Sequence, residues 1–405
     1  MLRSKLKSIG LASISVFIAI ALIKFPKEAL DASTRGIDMW WGTVFPSLLP
    51  FFITAELLIG FGVVRFIGVL FEPIMRPLFN VPGVGGFVWA MGMASGYPSG
   101  AKLTTRLRQE NQLTKVEAER LVSFTNASNP LFIIAAISVG FFHDPQLGML
   151  LAVCHYVGNA LVGICMRFYG RDTKDHTRRG NNKFSLSKAF HELHQTRMND
   201  KRPFGKIFGD AVVHSVQTLL MIGGFIIIFS VFTKLIYLYG ISNIFANGLA
   251  IVLTAIGLPG QLALPMFSGL FEITLGAQLI SETNISSLLP QIIIISFILA
   301  FNGFSVQAQV ASIIADTDIR FAPYFFARIL HGIIASILAI LLFKPLYLEQ
   351  LTLANWSLSV FTTNGEQWLN TLEKLQEVGP IITLFSLALT LFIMMIRLTS
   401  QRNYL

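Results

Sequence analysis

Ten apolar runs divide the chain, separated by short polar or basic stretches. They are Ile9–Phe25, Val44–Val64, Val84–Ser95, Leu121–Gly140, Leu147–Phe168, Val212–Leu235, Ile244–Ile280, Leu288–Phe304, Tyr324–Phe343 and Ile381–Leu398. Most reach the roughly 20 residues that a helix needs to cross a bilayer. Val84–Ser95 is too short to cross, and Ile244–Ile280 is broken by Gly257, Pro259, Gly260, Pro265 and Gly269. Both predict hairpins that enter the membrane and turn back. Phe66–Phe79 alternates apolar residues with Glu72, Pro73, Arg76 and Pro77, the pattern of an interfacial helix.

The two interrupted regions match at one offset. Met93, Ser95, Gly96, Ser123, Phe124, Ala127 and Asn129 recur 173 positions later as Met266, Ser268, Gly269, Ser296, Phe297, Ala300 and Asn302. Paired Gly/Pro-interrupted segments in two halves of a membrane chain point to a transporter's binding site.

Charge then sets the sides. Arg167–Lys206 carries eleven Lys and Arg, Lys102–Arg120 five and the N-terminal tail three, whereas Leu235–Gln291 carries none. Basic loops stay in the cytoplasm, so both termini and the central loop are expected there. The first repeat then makes three full crossings and one hairpin. Three is odd, so the second repeat runs inverted. The expectation is an all-α polytopic membrane protein with two inverted-topology repeats, re-entrant hairpins, broken helices and about eight full crossings.

The expected organisation is an N-terminal helix with an outer linker (1–43), repeat 1 (44–168), a basic cytoplasmic loop (169–210), repeat 2 (211–343), and an outer linker with a last helix (344–405). Phe184–His194 fits a short amphipathic helix, and Trp356 and Trp368 fit interface anchors.

Composition narrows the class. The chain is 53% hydrophobic and 13% charged, with a mean hydropathy of +0.64, against about 25% charge in soluble domains. The net charge of +9 sits in loops, without the aromatic interleaving that nucleic-acid binding uses. Cys154 and Cys165 lie about three turns apart on one run, too far to bridge. The histidines are scattered, so no metal or other cofactor is expected. Lys24, Pro26, Lys27 and Glu28 stand where a small-x-small cleavage site would follow the first run, which favours an uncleaved first helix.

Candidate chemistry concentrates at the breaks. In Ser95-Gly96-Tyr97-Pro98-Ser99-Gly100-Ala101-Lys102, Pro98 and the glycines forbid a continuous helix. Ser99 is placed to cap the following helix, and Lys102 adds positive charge where backbone N–H groups favour an anion. Thr125, Asn126, Ser128 and Asn129 stand before Pro130, which frees upstream carbonyls. Their mates are Asn302 and Ser305, with Gln307 and Gln309 behind. Ser268, Gly269 and Thr274 surround the second hairpin's turn. Glu56 and Glu272 are intramembrane carboxylates, each open to a coupling proton or ion or to a structural hydrogen bond. Arg328 stands three residues before His331, and His155 one turn before Asn159; Arg328 can attract an anion or serve only its own helix. Ser95, Ser99 and His155 specify no catalytic triad, so no enzyme activity is expected.

The runs Met93–Lys102, Phe124–Pro130 and Phe267–Glu272 resemble the sporulation integral membrane protein family called YlbJ or SpoVV. That family belongs to the nucleoside-recognition, or Gate-domain, group, which is similar to concentrative nucleoside transporters. The resemblance implies a role in endospore formation: moving dipicolinic acid, a small aromatic dianion, from the mother cell across the outer forespore membrane by alternating access. The alternatives are a nucleoside or other small-metabolite carrier of the same fold, and a non-transporting sporulation scaffold. The partners expected are a small anionic metabolite and the lipid bilayer; nucleic acid is not among them, and the sequence leaves oligomeric state open.

Overall fold

The computed structural model describes residues 2–170 and 186–349. The chain divides into two compact units, Met1–Lys344 and Pro345–Leu405, and the architecture below is that of the first. The expected last helix at Ile381–Leu398, the anchors Trp356 and Trp368, and residues 171–185 of the basic loop lie outside the described residues. Among the described residues every regular element is a helix.

α1 (Leu2–Lys24) leads to α2 (Pro26–Met39), a π-helical turn at Trp40–Val44 and α3 (Phe45–Gly60). The expected outer linker at 26–43 is therefore helical. Pro26 sits in the first turn, where its missing N–H costs nothing. Ala29, Ala32 and Gly36 make a small-residue stripe that is buried. They pack on α10 (Phe204–Leu238), a helix of 35 residues. Ser230 Oγ donates to the Ala32 carbonyl at 2.7 Å and Trp40 Nε1 to the Leu219 carbonyl at 2.9 Å. Gly36 abuts Ile227, and Gly60 abuts Ile207. Ascending numbers on α2–α3 meet descending numbers on α10, so the two run antiparallel.

α4 (Val63–Phe79) turns off α3 at 82°. The first hairpin is α5 (Val84–Ser95) and α6 (Ser99–Gln109). α7 (Lys115–Thr125) opens on a capping box, with Thr114 accepting from the Glu117 N–H and Glu117 from the Thr114 N–H. The chain leaves the helix at Asn126, resumes as a π-helix over Phe132–Phe141, and continues into α8 (Leu147–Met166). α9 (Leu186–Asn199) packs on α4, with Phe66 and Phe190 5.1 Å apart between ring centroids.

The second copy repeats this order after α10. It contains α11 (Ile241–Ala255), the hairpin α12 (Ala263–Phe271) and α13 (Ile273–Glu282), the interrupted pair α14 (Leu288–Phe301) and α15 (Gly303–Ile314), and α16 (Phe321–Phe343). Shifted by the sequence offset, α6 falls on α13, α7 on α14 and α8 on α16. Equivalent helices run antiparallel. α3 opposes the second half of α10, and α8 opposes α16, where His331 bonds the His155 carbonyl and Arg328 the Asn159 side chain.

Among the described residues four helices are long and apolar enough to cross a membrane, and two bent pairs raise the number to six. Seven crossings were expected within these residues. The difference is Leu121–Gly140, an interrupted span whose two half-helices, joined by unwound chain, are each too short to be counted.

Candidate functional site

Pro130 has no N–H, so the Asn126 carbonyl loses its helical partner. That carbonyl becomes a hub where the two interrupted spans meet. It accepts from Arg328 at 3.2 Å and from the Asn302 amide at 3.1 Å. Asn126 Nδ2 reaches Tyr324 Oη at 2.9 Å and Asn302 Nδ2 reaches the same oxygen at 3.3 Å. Asn302 holds a left-handed conformation, φ 73°, followed by Gly303 at φ 62°; asparagine and glycine tolerate this region best.

Arg328 is fully buried. Besides Asn126 it donates to the Ser123 carbonyl and to Asn159 Oδ1, lies 3.2 Å from His331 Nδ1, and stands 5.6 Å from the Tyr324 ring centroid. None of these partners is a carboxylate, and its Nε has no partner. Burying an ion costs several kcal/mol even after relaxation. Hydrogen bonds to a charged group return about 1.5–3 kcal/mol each, so the carbonyls and amide are what keep the guanidinium there. The oxygens Asn126 Oδ1, Asn302 Oδ1 and Gln307 Oε1 are also buried without partners, as is Ser128 Oγ. Gln307 spends its amide nitrogen on the Phe301 carbonyl at 3.0 Å.

The first hairpin straddles the first break. A Cβ added at Gly92 or Gly100 would come within 2.0 or 2.2 Å of the Thr125 carbonyl oxygen, so only glycine permits this contact. Asn129 ties break to tip, donating to the Ser95 carbonyl at 3.2 Å while its Oδ1 accepts from Phe132 N at 2.7 Å. The Thr125 hydroxyl is spent on the Leu121 carbonyl at 2.8 Å. Ser128 N donates to His155 Nε2 at 2.9 Å, and Tyr97 stacks edge-on to Phe132 at 6.5 Å.

Two expectations at this tip are corrected. Ser99 does not cap α6; it lies inside the first turn and gives its hydroxyl to the Gly96 carbonyl, while receiving Ser95 Oγ at 2.7 Å. Lys102 does not point its charge at the tip. Its Nζ lies 3.8 Å from Glu56 Oε1 and 4.3 Å from the Phe52 ring centroid, both on α3. Glu56 also meets Arg106 at 3.9 Å, so this carboxylate is ion-paired in the structure. Around it a cleft of about 110 Å³ is lined by Glu110, Asp200, Arg202, Asp210 and His214. Arg202 hydrogen-bonds Asp200, in the loop before α10, and holds its carboxyl down at about 2.

At the second hairpin the capping role belongs to Glu272. Its carboxylate accepts from Thr274 N at 3.0 Å and Leu275 N at 2.7 Å. An added Cβ at Gly276 would meet Gly269 Cα at 2.1 Å, so glycine sets how tightly the two arms pack. Ser268, Glu272 and Thr274 line a cavity of about 450 Å³, together with Arg35, Ser230, Thr233, Lys234, Phe267, Phe271 and Gln278. The paired interrupted segments were expected to mark the binding site; the first hairpin contributes no residue to this cavity, whose far wall is α2 and α10.

The structure thus gathers Asn126, Asn302 and Arg328 at one point, Ser95, Gly96, Ser99 and Asn129 at the first tip, and Ser268, Glu272 and Thr274 along the cavity. Tyr324, Arg35 and Lys234 were not among the residues expected from sequence. Tyr324 is one turn before Arg328, which is the signal that could have found it. The two cations lack any local signal, because α2 and α10 are distant in sequence.

A family model described as Gate, nucleoside recognition, matches residues 41–142 and 219–317. The chain is 54% identical over 407 residues to the sporulation integral membrane protein YlbJ of Bacillus subtilis (strain 168), with 98% of each chain covered. An uncharacterized protein of Alkalihalophilus pseudofirmus is 33% identical over 118 residues, which is 28% of this chain and 25% of that one. No solved structure matches. An all-α chain with paired, broken membrane helices and this degree of identity along nearly its whole length belongs to the YlbJ family of sporulation integral membrane proteins.

Proposed function

We propose that this protein is a carrier for a small organic dianion. In the sporulating cell its cargo is dipicolinate, moved from the mother cell across the outer forespore membrane by alternating access. Both termini face the mother cell in this reading. The observation that carries it is Arg328, a guanidinium buried where two interrupted spans meet and satisfied by freed carbonyls rather than by an acid. Ionisable groups inside a membrane bundle mark substrate or ion pathways. A buried positive charge with an unspent N–H favours an anionic cargo. Ser95, Gly96, Tyr97, Ser99, Gly100, Asn129 and the second hairpin's Ser268, Gly269 and Thr274 shape the walls. Glu272 is the candidate for proton coupling.

Uptake of labelled dipicolinate into proteoliposomes, with and without a pH gradient, tests this. Saturable uptake that Arg328→Met abolishes supports the reading; the same slow uptake in protein-free liposomes sinks it. A second reading, a neutral nucleoside-like cargo, is favoured by the unspent amide oxygens of Asn126, Asn302 and Gln307. It predicts that excess uridine suppresses dipicolinate uptake and is itself carried.

A further inference from the structure

The cavity against the second hairpin is lined by two cations that lie outside the interrupted spans. Arg35 on α2 and Lys234 on α10 line it, and neither has an acid partner among the described residues. The cavity's one carboxylate, Glu272, spends both oxygens on the N-terminus of α13. Lys234 Nζ rests 5.7 Å from the Tyr237 ring centroid, and Phe267 and Phe271 stand 5.1 Å apart between centroids. The pocket is therefore aromatic-walled, with two positive charges at its edge and no carboxylate besides Glu272 among its lining residues.

The helices fix where those charges lie. Ala32 pairs with Ser230 and Gly36 with Ile227 across the antiparallel contact. Lys234 is thus about 10 Å from Arg35 along the axes at 1.5 Å per residue, a gap two long side chains can close on one small ligand. Arg35 is one turn before Met39, whose sulfur is 4.0 Å from Thr274 Oγ1, so the guanidinium and the hairpin share one face. Arg35 also lies about 31 Å along its helical run from Glu56. That is the thickness of a bilayer's hydrocarbon core. The cavity and the Glu56 cleft therefore lie toward opposite ends of the α2–α3 run.

We propose that this cavity is a recognition site for a small aromatic dicarboxylate at the end of the α2–α3 run opposite the Glu56 cluster, with Arg35 and Lys234 each taking one carboxylate and Phe267, Phe271 and Tyr237 taking the ring. This deepens the carrier reading and rests on it for physiological meaning, but binding is measured apart from transport. The site is distinct from Arg328 in that both cations come from α2 and α10, outside the interrupted spans.

The test is equilibrium binding of labelled pyridine-2,6-dicarboxylate to the purified full-length protein in phosphatidylcholine nanodiscs. Arg35→Gln and Lys234→Gln should each weaken binding about tenfold or more, the loss of one charge-assisted contact. Arg35→Lys and Lys234→Arg should restore most of it. Pyridine-2-carboxylate should bind more weakly than the dicarboxylate, and the neutral diamide should not compete. Wild-type affinity in both glutamine variants overturns the proposal, even if uptake proceeds. So does a site that binds phosphatidylglycerol and not the dicarboxylate, which would make the two cations a lipid clamp. Charge-dependent binding without any transport upholds the site and removes the carrier reading instead.

Discussion

The two repeats share a backbone and differ in where they keep their charge. At equivalent positions the first has Ser99, Lys102 and His155, and the second has Glu272, Leu275 and Arg328. In the first hairpin a lysine reaches across to Glu56 on α3, so the hairpin is held to its neighbour by an ion pair. In the second, the acid is turned inward to cap α13, the lysine position is apolar, and an aromatic cavity opens against α2 and α10. Symmetric folding thus yields one hairpin that is latched and one that is free to meet a ligand. The charge at the centre is likewise one-sided, because Arg328 serves the carbonyls of the first repeat's break while standing in the second.

The greatest effect is expected from making the second copy like the first at its centre. Arg328→His takes the guanidinium donor from the Ser123 carbonyl and Asn159 Oδ1 and leaves the Asn126 carbonyl with Asn302 alone. Since each unsatisfied buried group costs about 1–3 kcal/mol, unfolding in detergent should show a loss of about 3 kcal/mol, and uptake should stop. Unchanged stability would mean the guanidinium is not what closes the break.

Gly100→Ala and Gly276→Ala sharpen the comparison from the packing side. Each forces a Cβ into backbone at 2.2 or 2.1 Å, and overpacking of this kind costs about 1–3 kcal/mol. Similar losses for both would show that the hairpins are equally tight despite their different charges.

The latch is tested by a cycle. Glu56→Gln alone leaves Lys102, 9% exposed, without its counter-charge, and should cost about 1–3 kcal/mol. Adding Lys102→Leu, the residue type of its mate, should recover most of that. Strict additivity in thermal unfolding would show that the pair contributes no coupling.

Smallest is the cap. Glu272→Ala should cost about 1 kcal/mol and Glu272→Ser a few tenths, because serine also caps a helix N-terminus. Equal losses would place the role of Glu272 outside capping.

Much of this was legible in the sequence. The offset that joins Asn129 to Asn302 also aligns the helices, and Pro130 and Gly303 mark both breaks. The hairpin glycines announced turns. What stayed hidden depended on partners far along the chain. The stretch before residue 44 read as an outer linker because nothing local reveals that Ala29, Ala32 and Gly36 face a helix two hundred residues away. Lys102 read as a ligand for the tip because its acid partner, Glu56, belongs to another helix. Ser99 read as a cap because capping is a local rule, and the hydroxyl of Ser95 and the carbonyl of Gly96 compete for it.

Everything turns on the repeats being mirror-related across the membrane. Gln109 and Glu282 are equivalent, both exposed, at the open ends of the two hairpins. With the exposed Cys165 replaced by serine, Gln109→Cys and Glu282→Cys can each be treated with a membrane-impermeant maleimide from one side of sealed vesicles. The account predicts that the two cysteines react from opposite sides. Labelling of both from the same side would contradict it.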